Sequence, residues 1–148
     1  AESHVAERQA RAATQTLTRN SIQSQIRVLN DASNVCQKGS SIVLWAKTDT
    51  GVIIGADVLG ELGKTSESVG EDAAVRLVTE LKSGSTVDVF LADMLIPYMA
   101  LASGKSVFYS LGLSEHIEAN IWLMETMLNS KFSIERVNNL LYRIEKTC

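Results

Sequence analysis

The apolar residues of this chain change their spacing repeatedly along its 148 positions, passing between a helical period and a strand-like alternation, and no run of either kind is long. That switching excludes an all-helical bundle and an all-strand barrel. It requires short helices packed on short strands, an α+β architecture. Val5, Ala6, Ala10, Ala13 and Leu17 trace a stripe that predicts a helix over 3–19. Its flank of His4, Arg8 and Arg11 is either a solvated face or a phosphate contact. I-Q-S-Q-I-R-V at 22–28 alternates, with Ile22, Ile26 and Val28 opposite Gln23, Gln25 and Arg27, and predicts a half-buried strand; N-D-A-S-N then supplies turn residues.

Two short apolar runs, 42–46 and 52–56, flank Asp49-Thr50-Gly51 and predict a hairpin. Gly55, Gly60 and Gly63 point to a turned loop over 55–65. Gly63-Lys64-Thr65 has the tail of a phosphate-binding loop, but Val58 stands where that motif needs its first glycine, so the cradle of N–H groups is incomplete. Ser68 with Glu71 reads as a capping box, opening a helix through Ala73, Ala74, Leu77, Val78 and Leu81 that stops near Gly84. From there the expected order is helix, strand, helix, strand, strand. Asp88 caps the first of these helices, whose apolar face is read as Leu91, Leu95, Tyr98, Met99 and Ala102. Ser106–Leu111 forms a strand, with Val107 and Tyr109 alternating along it. Phe132, Ile134 and Val137 turn back through Asn138-Asn139 into Leu140–Ile144.

Composition limits the function classes. The 45% hydrophobic and 21% charged content suits a globular chain, and no apolar run approaches the roughly 20 residues of a membrane span. The polar start lacks the features of a signal peptide, so the expected compartment is the cytoplasm. Cys36 and Cys148 are too few and too far apart for a disulfide framework or a zinc site, and both are expected to be reduced thiols, Cys36 in a loop or strand end. The net charge of −3 is uneven. Residues 1–40 carry five Arg or Lys against three Asp or Glu, so a polyanion would meet this part more readily. The acidic total speaks against tight unspecific nucleic-acid binding and leaves room for recognition of one phosphorylated end.

Two residues invite chemistry. Ser114 is a plausible N-cap, and Ile117, Ile121, Met124 and Leu128 follow at helical spacing, so His116 falls in a first helical turn, one turn before Asn120. Free N–H groups at a helix start favour anions, and an imidazole lone pair there is a nucleophile toward phosphorus. On spacing alone, His116 reads as a cap or surface residue. Pro97, the single proline, lies inside the preceding helix, where it lacks the N–H that would serve the Asp93 carbonyl. An Asp on an apolar stripe at such a place must be paired or ligated, or else face water.

Four ordered blocks give these residues a context: S-H-V-A-E-R-Q at 3–9, G-E-L-G-K-T-S-E-S-V-G-E-D-A-A at 60–74, F-L-A-D-M-L-I-P-Y-M-A-L-A-S-G at 90–104, and the helix of His116 and Asn120. Together they resemble the C-terminal part of the RNA 3'-terminal phosphate cyclases, of the archaeal kind. The resemblance implies a small insert-type α/β domain, most of it present as residues 1–83, followed over 84–148 by the last βαβαββ-type repeat of the catalytic domain, helices packed on one face of a mixed sheet. It implies that His116 takes AMP from ATP as a covalent adduct, that the AMP passes to an RNA 3'-phosphate, and that the 2'-hydroxyl displaces it to give a 2',3'-cyclic phosphate. Asp93 then falls near the nucleotide, Phe90 where an aromatic contacts adenine, and Asn120 beside them. Met94 and Ala119 stand where the family usually has Gln and Thr. ATP and a divalent metal, Mg or Mn, are the implied cofactors, with no metal ligand assigned in this chain. The implied partners are RNA 3'-phosphate ends, the N-terminal remainder of a cyclase or a second chain, and a further copy of itself. The chain is expected to be a fragment, or one half of a split protein, that needs the missing part for activity. Cyclase-like proteins that lack the histidine serve as scaffolds in ribosomal RNA processing, and this is the alternative function; a plain α+β module without chemistry is a third.

Overall fold

A computed structural model describes residues 4–31, 33 and 39–147. The elements run α1 (Val5–Arg19), β1 (Ser41–Lys47), β2 (Ile53–Leu59), α2 (Ser66–Ser83), α3 (Val89–Leu101), β3 (Ser106–Leu111), α4 (Glu115–Leu128), β4 (Lys131–Arg136) and β5 (Leu141–Thr147). The fold is α+β, with one two-stranded sheet and one three-stranded sheet among the described residues. Among the described residues, no helix is long and apolar enough to cross a membrane. Cys36 and Cys148 lie outside the described residues.

The expected hairpin is present. Gly51 N–H closes the turn on Thr48 C=O at 2.9 Å, Thr48 N–H returns to Val52 C=O at 2.8 Å, and Gly51 takes φ +86°, a conformation that glycine adopts without a Cβ penalty. The glycine-rich loop starts later than its composition suggested, because Gly55 lies inside β2. Residues 22–28 form no strand. Their alternation is real, but the segment has no ladder partner among the described residues, and Ile22 N–H instead closes the end of α1 on Leu17 C=O. Of the turn expected at 30–34, Asp31 Oδ1 accepts from Ser33 N–H at 2.8 Å, and Ala32 and Asn34 lie outside the described residues.

The chain divides into two compact units, Ala1–Ala46 with Gly55–Thr79, and Lys47–Ile54 with Glu80–Cys148. In the first, α1 and α2 touch backbone to backbone: a Cβ added at Gly70 would lie 2.1 Å from Gln9 O. Only glycine permits that approach. Gln9 is buried beside it and donates from Nε2 to Ser40 Oγ at 2.9 Å. The start of α2 is capped by Thr65, whose Oγ1 accepts from Ser68 N–H at 3.1 Å, so Ser68 belongs to the helix and does not cap it. Ala13, Leu17, Val69, Ala73, Ala74 and Leu77 form the buried faces of the two helices.

In the second unit, β3, β5 and β4 lie in that order, and both neighbouring pairs are antiparallel. Register places Phe108 and Ile134 on either side of Ile144. Phe108 and Ile144 join Val87, Ala92, Ile96, Met99, Ile117 and Ile121 in one buried cluster, which packs α3 and α4 against one face of the sheet. The inward residues of β3 are therefore Phe108 and Ser110, and Val107 faces out. The buried face of α3 matches the stripe expected only in part, with Met99 buried and Leu95 packed against the cluster. Ala92, Ile96 and Met99 point in, whereas Leu91 and Tyr98 are exposed. Residues 89–101 are apolar almost all round, so period alone could not choose the face. Thr86 covers the outer edge of β3, its N–H donating to Tyr109 C=O and its Oγ1 accepting from Tyr109 N–H, each at 2.9 Å. Such cover blunts an open strand edge.

Candidate active site

Two caps fix the helices that carry the candidate residues. Asp88 Oδ1 accepts from Phe90 N–H at 3.1 Å and from Leu91 N–H at 2.9 Å, starting α3 where the sequence suggested. Ser114 Oγ accepts from Ile117 N–H at 3.1 Å and starts α4. Gly112, at φ +88°, makes the turn between β3 and that cap. His116 is the second residue of α4, and its side chain is exposed. No hydrogen bond or ion pair holds its ring among the described residues. The same first turn carries Glu115 and Glu118, both exposed, whose carboxylates already face the positive end of the helix dipole. The candidate role of His116 therefore rests on a free imidazole more than on a bare anion-binding helix start.

Asp93 is gripped from α4 at two points. Ser114 Oγ donates to its Oδ1 at 2.5 Å, and Asn120 Nδ2 donates to its backbone carbonyl at 3.1 Å. That carbonyl is the one Pro97 cannot serve, since proline has no N–H to return to the residue four before it. The two gripping residues stand two positions before His116 and four after it. Asp93 is thus paired, the first of the readings its place in the sequence allowed, and α3 continues through Pro97 to Leu101. Asn120 meets the backbone of α3 with its amide. The hydroxyl of Ser114, beyond its cap, was not legible as a partner for Asp93, because nothing local marks a contact 21 residues away.

Phe90 lies one turn before Asp93 on α3 and is 59% exposed, its ring open to a flat ligand. Met94, Tyr98 and Leu101 extend an exposed apolar ridge from it along the same helix. Two of the basic groups that the sequence offered to phosphate elsewhere are occupied. Arg8 makes a two-point pair with Glu67, Nε to Oε1 and Nη2 to Oε2, each at 2.7 Å. These bonds hold the Glu67 carboxyl below the usual carboxylate range and raise Arg8. Lys64, in the incomplete phosphate-loop tail, pairs with Asp72 at 2.6 Å. Among the described residues no three His, Cys, Asp or Glu side chains group to hold a metal ion.

Residues 1–82 match the family model of the RNA 3'-terminal phosphate cyclase (RTC) insert domain. Among curated relatives, the RNA 3'-terminal phosphate cyclase of Pyrobaculum neutrophilum is 43% identical over 135 residues, which is 90% of this chain and 38% of that protein. The cyclase of Pyrobaculum aerophilum is 40% identical over 145 residues, 96% of this chain and 41% of that protein. That of Methanopyrus kandleri is 42% identical over 129 residues, 84% of this chain and 37% of its own length. The chain spans about two fifths of the length of these relatives. Because the insert-domain match covers more than half of the chain, and the identity to cyclases extends well past residue 82, this chain belongs to the RNA 3'-terminal phosphate cyclase family.

Proposed function

We propose that this chain carries the nucleophile of an ATP-dependent RNA 3'-phosphate cyclase, and that it acts together with the remaining part of the cyclase or with a second chain. Residues 84–148 are then a repeat of the catalytic domain, and residues 1–83 most of the insert. The observation that carries this reading is the free, exposed imidazole of His116 in the first turn of α4, on a helix clasped to Asp93 on both sides of it.

The chemistry balances in three displacements. A ring nitrogen of His116 attacks the α-phosphorus of ATP, a P–N bond forms, and the P–O bond to pyrophosphate breaks. An oxygen of the RNA 3'-phosphate then takes the AMP, breaking P–N and forming a phosphoanhydride. Finally the 2'-oxygen, giving up its proton, attacks the RNA phosphorus, and AMP leaves with the bridging oxygen. His116 forms and releases the covalent bond, and the open face of Phe90 suits a stacked purine. Asp93, with one carboxylate oxygen engaged by Ser114, is the proposed neighbour of the nucleotide. A divalent ion, Mg or Mn, would offset phosphate charge, but no cluster of side chains for it exists among the described residues, and its ligands would come from the nucleotide or from outside this segment. RNA 3'-phosphate ends are the proposed substrate, and the cytoplasm the proposed site of action.

The test is conversion of a 3'-phosphorylated oligonucleotide to a phosphatase-resistant cyclic end, in the presence of ATP and Mg, by this chain combined with the rest of a relative that lacks the matching portion. Conversion that disappears in His116→Asn is the expected result. Equal conversion by His116→Asn, or none with either protein, would overturn the proposal, and the second outcome would favour a non-catalytic scaffold.

A further inference from the structure

We infer that Pro97 and Asn120 are a matched pair that positions the His116 helix, Asn120 being a positioning residue and not a contact of the nucleotide. The inference rests on the reading of His116 given above and deepens it.

Three observations carry it. Pro97 sits inside α3, which runs unbroken from Val89 to Leu101, so the Asp93 carbonyl loses its helical donor without the helix ending. Asn120 Nδ2 lies 3.1 Å from that same carbonyl and supplies the missing donor from the neighbouring helix. The carbonyl is part-buried, where an unmade hydrogen bond is expensive, so the proline creates a demand that only one residue of α4 meets. In a helix, a residue four positions on lies one turn along and nearly in line, so His116 and Asn120 share a face. Ser114 grips Asp93 Oδ1 at the other end of that turn. Rotating α4 by one residue, about 100°, would break both contacts and carry the imidazole off its line. An alanine at 97 would return an N–H to the Asp93 carbonyl, so that no bare carbonyl would draw water between α3 and α4 and the Asn120 amide would become dispensable for holding the two helices in place. A nucleotide contact would have no such dependence on residue 97.

The experiment uses the full chain under conditions in which the wild-type protein becomes labelled by α-labelled ATP, and follows two readouts: the rate of His116 labelling, and the ring resonances of His116, separated from those of His4 by a His4→Asn control. Asn120→Ala and the isosteric Asn120→Asp are expected to label about tenfold to a hundredfold more slowly, as a misplacement of about 1 Å would cause, and to shift the His116 resonances. Pro97→Ala alone should stay within about threefold of wild type, and Pro97→Ala combined with Asn120→Ala should recover to a similar level, because the two positions couple. A double variant as slow as Asn120→Ala, or an Asn120→Ala that labels at the wild-type rate, would overturn the inference. If the wild-type chain never labels even when the rest of a cyclase is supplied, the nucleophile reading has failed separately, and the resonances decide the pairing: a shift in Asn120→Ala that reverts in the double variant supports it, and no shift overturns it. Should Asn120→Ala fail to fold, recovery of folding in the double variant supports the pairing, and failure of both overturns it.

Discussion

The hydroxyl of Ser114 serves two helices at once: its proton goes to Asp93 Oδ1 on α3 at 2.5 Å, and its lone pair accepts Ile117 N–H on α4 at 3.1 Å. Starting the His116 helix and tying it to Asp93 are therefore one interaction. Ser114→Ala should remove a cap of about 1 kcal/mol and a hydrogen bond to a charged group of about 1.5–3 kcal/mol. A urea titration should show a combined loss of roughly 2.5–4 kcal/mol for the second unit, with Ser114→Thr recovering part of it. A loss below the cap alone would mean that the Asp93 contact contributes nothing.

In the first unit the decisive position is Gly70. Glycine to alanine inside a helix ordinarily gains about 1 kcal/mol from propensity. Here the new Cβ would meet Gln9 O at 2.1 Å and Gln9 C at 2.8 Å, both backbone atoms that cannot turn aside. Gly70→Ala should therefore destabilise, by about 1–3 kcal/mol for the forced separation of α1 and α2. Thermal unfolding gives the sign directly.

Lys146 is buried in β5, with its ammonium spent on the end of α3, where Nζ donates to Ala102 O and Gly104 O, each at 2.9 Å. A cation at a helix C-terminus also complements the dipole. Lys146→Met keeps the stem and strands both carbonyls, and should cost about 2 kcal/mol in chemical unfolding. Unchanged stability would show that water replaces the ammonium at no cost.

Glu80, near the end of α2, is 7% exposed. Burial pushes its carboxyl above the usual range, against the opposing hydrogen bond from Ser85 Oγ at 2.7 Å. The raised value in the fold means that the protonated form suits the folded state, so its contribution is fully present below the unfolded carboxylate range and is lost as pH rises through the folded value. At neutral pH the ionised group is a burden. Glu80→Gln should accordingly melt higher than wild type at pH 7, and the gap should close as pH falls toward the ordinary glutamate range. A gap independent of pH would contradict this.

What could be seen in the sequence was local. The caps at Asp88 and Ser114, the turn at Gly51, and the stop at Gly84 are each decided within a few residues, and each stands in the structure. The misreadings needed information from far along the chain. Ile22–Val28 alternates as a strand would, but alternation does not name a partner. Nor does a helix as apolar as α3 show which side will meet Phe108 and Ile117. Thr65 and Ser68 compete for one cap, and the residue three positions earlier takes it. Asp93 stood out because an Asp beside a helical proline needs company. That its company is Ser114 and Asn120 became visible only once α4 lay against α3.

The central claim is that His116 forms a bond to AMP, and the adduct itself is the most direct thing to measure. The chain, supplied with the rest of a cyclase, is incubated with α-labelled ATP and Mg, and the labelled protein is digested and its peptides sequenced by mass. The expected result is one AMP on the peptide containing Ser114–Asn120, lost in acid and kept in alkali as a phosphoramidate is, and absent from His116→Asn. Label on another residue, label that survives acid, or equal label in His116→Asn would contradict the account.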